Sequence, residues 1–168
     1  MIHIYTGDGK GKTTAAFGLA MRKYGRGGKV LISQFLKPEL SGEALVAEGL
    51  GIEIIYRTEP RGFIWEMDEE NRHLLYKSTQ DIFLECKRRV KDFDMLVMDE
   101  IICAVGCKMI DEEEVLCFLA QIKYSAEVVL TGRGAGRRLI GAADYVSEIK
   151  CIKHPFEHGA AARKGIEF

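Results

Sequence analysis

Short apolar runs alternate along the chain with longer segments that repeat apolar residues at helical spacing. We predict six strands, at residues 1–5, 30–35, 52–56, 95–98, 128–130 and 145–152. Most of these runs are rich in Val, Ile and Leu and lack a clean alternation with polar residues, which is typical of strands covered on both faces. The pattern therefore indicates a buried sheet with helices packed on both sides.

Helices are predicted between the strands. One spans residues 13–24 and ends at Gly25, and a short one spans residues 136–143. Asp68 is the expected N-cap of a long helix, and Asp111 with Glu114 matches a capping box that opens another. The apolar positions expected to face the sheet are Ala15, Ala16, Leu19, Ala20, Leu74, Leu75, Ile82, Phe83, Val90, Val115, Leu116, Leu119 and Ile122. Strands that alternate with helices predict right-handed crossovers and a mostly parallel α/β sheet.

Composition narrows the classes of protein. A chain of 168 residues with 47% hydrophobic and 29% charged residues is ordinary globular protein, and we expect one domain over residues 1–168. The net charge of −1 argues against nucleic-acid binding driven by bulk charge. No apolar run is long enough to span a bilayer and no signal peptide precedes the first strand, so we expect a cytoplasmic protein without a membrane partner. Cys103 and Cys107 have no second close pair, so no zinc site is expected.

The strongest chemical signal is the phosphate loop, residues 6–14, which follows a strand and opens a helix. Gly11, Lys12 and Thr13 match the end of the pattern G-x-x-x-x-G-K-[ST], whereas Thr6 replaces its first glycine. Glycines allow successive N–H groups to turn inward toward phosphate, and the helix N-terminus adds positive potential. We expect the phosphates of a nucleotide, which the family resemblance described below identifies as ATP, to be bound by Gly7, Asp8, Gly9, Lys10, Gly11, Lys12, Thr13 and Thr14.

A second signal is the pair of carboxylates, Asp99 and Glu100, that ends the predicted strand 95–98. Together with the hydroxyl of Thr13, they are predicted to hold Mg²⁺. Other polar or aromatic residues also follow strands: Gln34, Lys37, Arg61, Phe63, Trp65, Thr131, Arg133, Lys153 and His154. Because ligands bind outside the carboxyl ends of parallel strands, we expect these groups to converge on one edge of the sheet. Arg133 is a candidate for contacting triphosphate.

The sequence resembles the phosphate-loop type of ATP:corrinoid adenosyltransferase, in order and over essentially the whole chain. Besides the phosphate loop and the Asp99–Glu100 pair, the resemblance rests on the segments Q-F at 34–35, G-F-I-W at 62–65, L-T-G-R-G-A at 130–135, A-D at 143–144, K-H-P-F at 153–156 and K-G-I-E-F at 164–168. The G-F-x-W element and the two tail segments are far more specific than a phosphate loop. The resemblance implies a P-loop NTPase-like (RecA-like) fold.

The family transfers the 5′-deoxyadenosyl group of ATP to the cobalt(I) of a corrinoid and releases triphosphate. By this resemblance, the phosphate loop holds the triphosphate in an orientation reversed from that of ordinary NTPases, Arg133 contacts phosphate, and Thr13 and Glu100 serve Mg²⁺. Phe63 and Trp65 would pack beneath the corrin ring and displace its lower axial ligand. The resemblance also implies a homodimer and an electron donor such as a reduced flavoprotein.

Two other functions stay open at this point. A small-molecule kinase would transfer the γ-phosphoryl group and usually has an Arg-rich lid, of which only Arg137 and Arg138 are candidates. A non-catalytic, ATP-dependent switch would bind a macromolecule instead. The first predicted strand also begins at Met1, where many family members carry an N-terminal arm that covers the active site of a partner subunit. We therefore expect no such arm, and the sequence does not indicate which other segment covers the nucleotide.

Overall fold

Six parallel strands form one sheet in the computed structural model, which describes residues 1–58, 62, 64–155, 159, 161 and 163–166, with only the backbone at Trp65. The strands are β1 (Ile2–Thr6), β2 (Val30–Gln34), β3 (Glu53–Ile55), β4 (Met95–Asp99), β5 (Glu127–Thr131) and β6 (Tyr145–Glu148), in the order β3-β2-β4-β5-β1-β6. All six predicted strands are confirmed. The predicted strand 145–152 is too long, because Glu148 pairs with Thr6, the last residue of β1, and the sheet offers no neighbour beyond it.

Six α-helices connect the strands within the described residues. They are α1 (Lys12–Tyr24), α2 (Gly42–Gly49), α3 (Glu69–Arg89), α4 (Ile101–Gly106), α5 (Glu112–Ile122) and α6 (Arg137–Ala142). The predicted N-caps are confirmed, since Asp68 accepts a hydrogen bond from the Asn71 N–H and Asp111 accepts one from the Glu113 N–H. The sequence pattern did not predict α2 and α4, which are short. None of the helices among the described residues is long and apolar enough to cross a bilayer.

Two apolar layers flank the sheet. Helices α1 and α2 cover one face, where Ile32 and Val97 are buried, and α3 to α6 cover the other, where Leu31 and Leu96 are buried. Both faces of β2 and β4 are therefore covered, as the unbroken apolar runs predict. The edge strand β6 differs, because all four of its residues are exposed.

Two predicted helix faces need correction. In α1, Ala16 and Ala20 are buried as predicted, but Ala15 is exposed and Phe17 is buried in its place. In α3, Leu75 is buried but Leu74 is 49% exposed. Successive residues of a helix are separated by about a quarter turn, so the neighbour of a core residue can face solvent even when it is apolar.

Candidate nucleotide-binding site

The phosphate loop joins the carboxyl end of β1 to the first turn of α1. Its backbone is left-handed at Gly7, with φ of 97°, and at Gly11, with φ of 111°, and both values favour glycine. Gly9 is needed for a different reason: a Cβ there would lie 2.7 Å from the carbonyl oxygens of Ile149 and Lys150. The Gly9 N–H donates a hydrogen bond of 2.7 Å to the same Ile149 oxygen. The segment that follows β6 therefore packs directly against the loop.

Lys12 lies at the centre of this loop and is 7% exposed. Its ammonium donates hydrogen bonds of 2.7 Å to the carbonyl oxygens of Gly7 and Gly9, so the loop curls around the charge. Burial lowers the pKa of Lys12, and the nearby positive charge of Arg133 lowers it further. The two hydrogen bonds that the described residues accept from this buried cation go to neutral carbonyl groups, so the ammonium is well placed to contact an anion that enters the loop.

Thr6 stands where the consensus loop begins with glycine. Its side chain is nearly buried, and its hydroxyl accepts a hydrogen bond of 3.3 Å from the Ala135 N–H. This contact ties the start of the phosphate loop to the turn after β5. The departure from the consensus at Thr6 thus has a structural role that the motif alone did not indicate.

Asp99, at the end of β4, is fully buried and connects four polar side chains. Its Oδ1 accepts hydrogen bonds from the hydroxyls of Thr13 (2.9 Å) and Thr131 (2.7 Å). Its Oδ2 accepts one from the Gln34 amide (3.1 Å) and one from the Lys37 ammonium (2.7 Å). The predicted convergence at the carboxyl edge of the sheet is confirmed for these residues, which come from the ends of β2, β4 and β5 and the start of α1.

Glu100 follows directly and has left-handed backbone, with φ of 66°, although it is not glycine. Its N–H donates a hydrogen bond of 2.9 Å to the Thr131 hydroxyl, which fixes the turn between β4 and α4. The half-buried carboxylate lies next to the thiol of Cys103. Burial, and then the negative charge of Glu100, raise the pKa of Cys103 to about 12, so this thiol stays protonated near neutral pH.

Arg133 lies across the loop, on the turn after β5. Its guanidinium is 3.8 Å from the Asp8 carboxylate, and both side chains are largely exposed. The backbone N–H of Arg133 donates a hydrogen bond to the Cys103 sulfur at 3.2 Å. Gly132 permits this close approach, because a Cβ at that position would lie 2.8 Å from the Cys103 nitrogen. At the outer rim of the site, the Thr14 hydroxyl donates to Glu43 of α2 at 2.9 Å. Sequence patterns did not indicate Glu43, because its contact depends on the unpredicted helix α2.

Some predicted site residues are not tested by the structure. Phe63 and Arg61 lie outside the described residues, as does the side chain of Trp65. Lys153 is exposed and His154 is half-buried in the segment after β6. Among the residues that the structure describes, no group of three or more His, Cys, Asp or Glu side chains could hold a metal ion by itself.

Comparison with known proteins decides between the remaining alternatives. The family model of the ATP:corrinoid adenosyltransferases BtuR/CobO/CobP matches residues 1–168. The chain belongs to this family. It is 37% identical over 171 residues to the corrinoid adenosyltransferase of Escherichia coli strain K12, a match that covers 100% of this chain and 85% of that protein. The same identity and coverage hold for the corrinoid adenosyltransferase CobA of Salmonella typhimurium strain LT2.

These relatives confirm the resemblance seen in the sequence, and the kinase and switch alternatives are not favoured. The fold is also similar to the flagellar accessory protein FlaH of Methanocaldococcus jannaschii, with a TM-score of 0.54 over 88% of this chain and 69% of that one. At 10% identity this similarity concerns the fold alone. The predicted P-loop NTPase-like α/β fold is confirmed.

Proposed function

We propose that this adenosyltransferase transfers the 5′-deoxyadenosyl group of ATP to the cobalt(I) of a corrinoid and releases inorganic triphosphate. The observation that carries the proposal is the convergence of the phosphate loop, with Lys12 at its centre, and the Asp99 side-chain network at one edge of the sheet. The match of the whole chain to the adenosyltransferase family supports the identity of the second substrate.

The proposed triphosphate site consists of the phosphate loop and Arg133. The loop amides and the N-terminus of α1 supply hydrogen-bond donors, and Lys12 supplies a charge whose hydrogen bonds go to the neutral carbonyl groups of Gly7 and Gly9. Among the described residues, the Arg133 guanidinium is paired with Asp8, in an exposed pair of the kind that contributes little to stability. Its guanidinium can therefore turn toward phosphate at small cost. The proposed ATP ligands are Gly7, Asp8, Gly9, Lys10, Gly11, Lys12, Thr13, Thr14 and Arg133.

The oxygen donors beside the loop fit Mg²⁺, which prefers hydroxyl, carboxylate and phosphate oxygens. Thr13 donates its proton to Asp99, which leaves the lone pairs of its hydroxyl available for a cation. Asp99 already accepts four hydrogen bonds, so we propose Thr13 and Glu100 as the direct ligands and Asp99 as the group that orients Thr13. Bound Mg²⁺ would neutralise charge on the departing triphosphate.

Replacing Glu100 with Gln tests this assignment. The substitution keeps the size of the side chain and removes its charge, so the Mg²⁺ concentration at half-maximal rate should rise while the fold is kept. Titration of Mg²⁺ against initial rate measures the effect. An unchanged half-saturation point would remove Glu100 from the metal site.

The chain itself needs little acid–base chemistry. The electron pair of cobalt(I) attacks C5′ of ATP, the bond between C5′ and the triphosphate oxygen breaks, and its electrons leave with triphosphate. The protein contributes by holding the two substrates in line and by stabilising negative charge on the leaving group. No side chain has to take up a proton in this step.

The remaining assignments rest on the family resemblance. Phe63 and Trp65 are proposed to lie under the corrin ring, where aromatic bulk would exclude the lower axial ligand. We also propose a single domain over residues 1–168, a homodimer, a reduced flavoprotein as electron donor and a cytoplasmic location. All five cysteines are unpaired, which supports a reducing compartment.

Formation of a cobalt–carbon bond tests the proposal. Incubation with ATP, Mg²⁺ and chemically reduced corrinoid should give a corrinoid product whose absorption spectrum changes on illumination to that of cobalt(II), since light splits an alkyl–cobalt(III) bond homolytically. Omission of ATP is the control. If the complete mixture gives no product whose spectrum changes on illumination, the proposed function is contradicted.

A further inference from the structure

Lys37 lies three residues beyond the end of β2 and forms a short ion pair with Asp99. The distance from its Nζ to Oδ2 of Asp99 is 2.7 Å, the Asp99 side chain is fully buried, and that of Lys37 is 20% exposed. Among the described residues, Lys37 is the one cation that forms an ion pair with this carboxylate. The charge of Asp99 is therefore compensated within the protein before any ligand binds.

The backbone that places Lys37 is unusual. Leu36 has φ of 56°, a left-handed conformation that is costly for a residue with a branched side chain. Its side chain packs against the apolar layer on the α3 side of the sheet. The preceding Phe35 N–H donates to the Asp99 carbonyl oxygen at 3.0 Å, so the chain turns directly beside Asp99. Strained conformations of this kind persist only where the surroundings determine them, and here the turn aims Lys37 at Asp99.

The ion pair also completes the coordination of the carboxylate. Two hydroxyls occupy Oδ1, and the Gln34 amide and the Lys37 ammonium occupy Oδ2. A carboxylate offers about four lone-pair positions, and all of them are used. Asp99 could bind a cation directly only by giving up one of these partners.

We propose that Lys37 is a positioning residue, which keeps Asp99 as the hydrogen-bond acceptor of Thr13 and prevents it from binding a divalent cation directly. With Asp99 neutralised, Glu100 remains as the carboxylate beside the loop, and it lies near the charge of Lys12, which is itself close to that of Arg133. The site then lacks the negative charge that a divalent cation needs until a triphosphate supplies it. Lys37 would thereby make metal binding depend on nucleotide. This inference rests on the proposed metal site of Thr13 and Glu100.

The test is binding of Mn²⁺, measured by electron paramagnetic resonance with and without ATP. Lys37→Gln keeps a hydrogen-bond donor for Asp99 but removes the charge, so nucleotide-free Mn²⁺ affinity should rise by about tenfold or more. Lys37→Arg keeps the charge and should bind as weakly as the wild type. In the double variant Lys37→Gln/Asp99→Asn the uncompensated carboxylate is gone, and the gain should disappear.

Lys91→Gln is the matched control. Lys91 is exposed and precedes β4, so it lies at the amino ends of the strands, away from the site at their carboxyl ends. A merely structural role for Lys37 would lower metal affinity together with thermal stability, whereas the proposal requires a gain of binding. Equal or weaker nucleotide-free Mn²⁺ binding by Lys37→Gln would overturn it. Should this variant not fold, Asp99→Asn gives the converse test. Asp99→Asn leaves the positive charge of Lys37 without a partner, so this variant must bind Mn²⁺ in the presence of ATP more weakly than Lys37→Gln/Asp99→Asn does. Equal Mn²⁺ binding by the two variants would overturn the proposal.

These readouts separate the inference from the function on which it rests. Neither corrinoid nor turnover is needed for the Mn²⁺ measurement, so a failed adenosyl transfer leaves the Lys37 result intact. Conversely, wild-type protein that binds Mn²⁺ equally well with and without ATP would contradict the role of Lys37 while leaving the adenosyl transfer untouched.

Discussion

Replacement of Thr131 with Val tests whether the Asp99 network holds the site together. The two side chains have nearly the same shape, so the change removes one hydroxyl from a fully buried position. The lost hydrogen bond to the Asp99 carboxylate is worth about 1.5–3 kcal/mol, as is typical of bonds to charged groups. The Glu100 N–H also loses its acceptor, at a further cost of about 1 kcal/mol because it is only partly buried.

The total of about 3 kcal/mol should lower the midpoint of thermal unfolding by about 6–12 °C for a chain of this length. Differential scanning calorimetry measures the shift. Thr79→Val is the matched control, because Thr79 is equally buried but its hydroxyl donates only to the Leu75 carbonyl within α3. The free energy of unfolding of Thr79→Val should fall by less than about 1 kcal/mol. If the two variants unfold at the same temperature, Thr131 does not hold the Asp99 network.

The other predictions concern the loop and the corrinoid side. Lys12→Ala should weaken ATP binding by about tenfold or more with an unchanged circular dichroism spectrum, measured by calorimetric titration, because one charge-assisted contact is lost; wild-type affinity would refute the loop assignment. Gly9→Ala forces a Cβ against two carbonyl oxygens and should impair ATP binding, whereas Gly18→Ala, with open space around it in α1, should not. Phe63→Ala and Trp65→Ala should abolish turnover from cobalt(II) corrinoid with a mild reductant and spare turnover from pre-formed cobalt(I). Equal losses with both would indicate simple packing.

The sequence predicted the parts of this fold that depend on local pattern. The apolar runs located all six strands, and the residues Asp68 and Asp111 located two helix starts. Helices α2 and α4 were missed because each is short and contains an unbroken apolar run, at residues 44–47 and 101–105, which shows no helical period. The end of β6 at Glu148 was missed because it depends on where its neighbour β1 ends.

The candidate site, like the fold, was predicted from the sequence only in part. The order of elements and the parallel sheet were enough to bring Gln34, Lys37 and Thr131 to one edge. Their joint contact with Asp99 could not be predicted, because it depends on distances to residues that lie 32 to 65 positions away in the chain. The left-handed turn at Leu36 was equally hidden, since leucine is no indicator of that conformation.

The identity of the phosphate product tests the central claim most directly. Purified protein is mixed with ATP, Mg²⁺ and a corrinoid reduced to cobalt(I), and the phosphate species are resolved by ³¹P nuclear magnetic resonance. Adenosyl transfer predicts inorganic triphosphate in an amount equal to the adenosylated corrinoid, and none when the corrinoid is omitted. Release of ADP with an unmodified corrinoid would instead show phosphoryl transfer or hydrolysis, and would contradict the account.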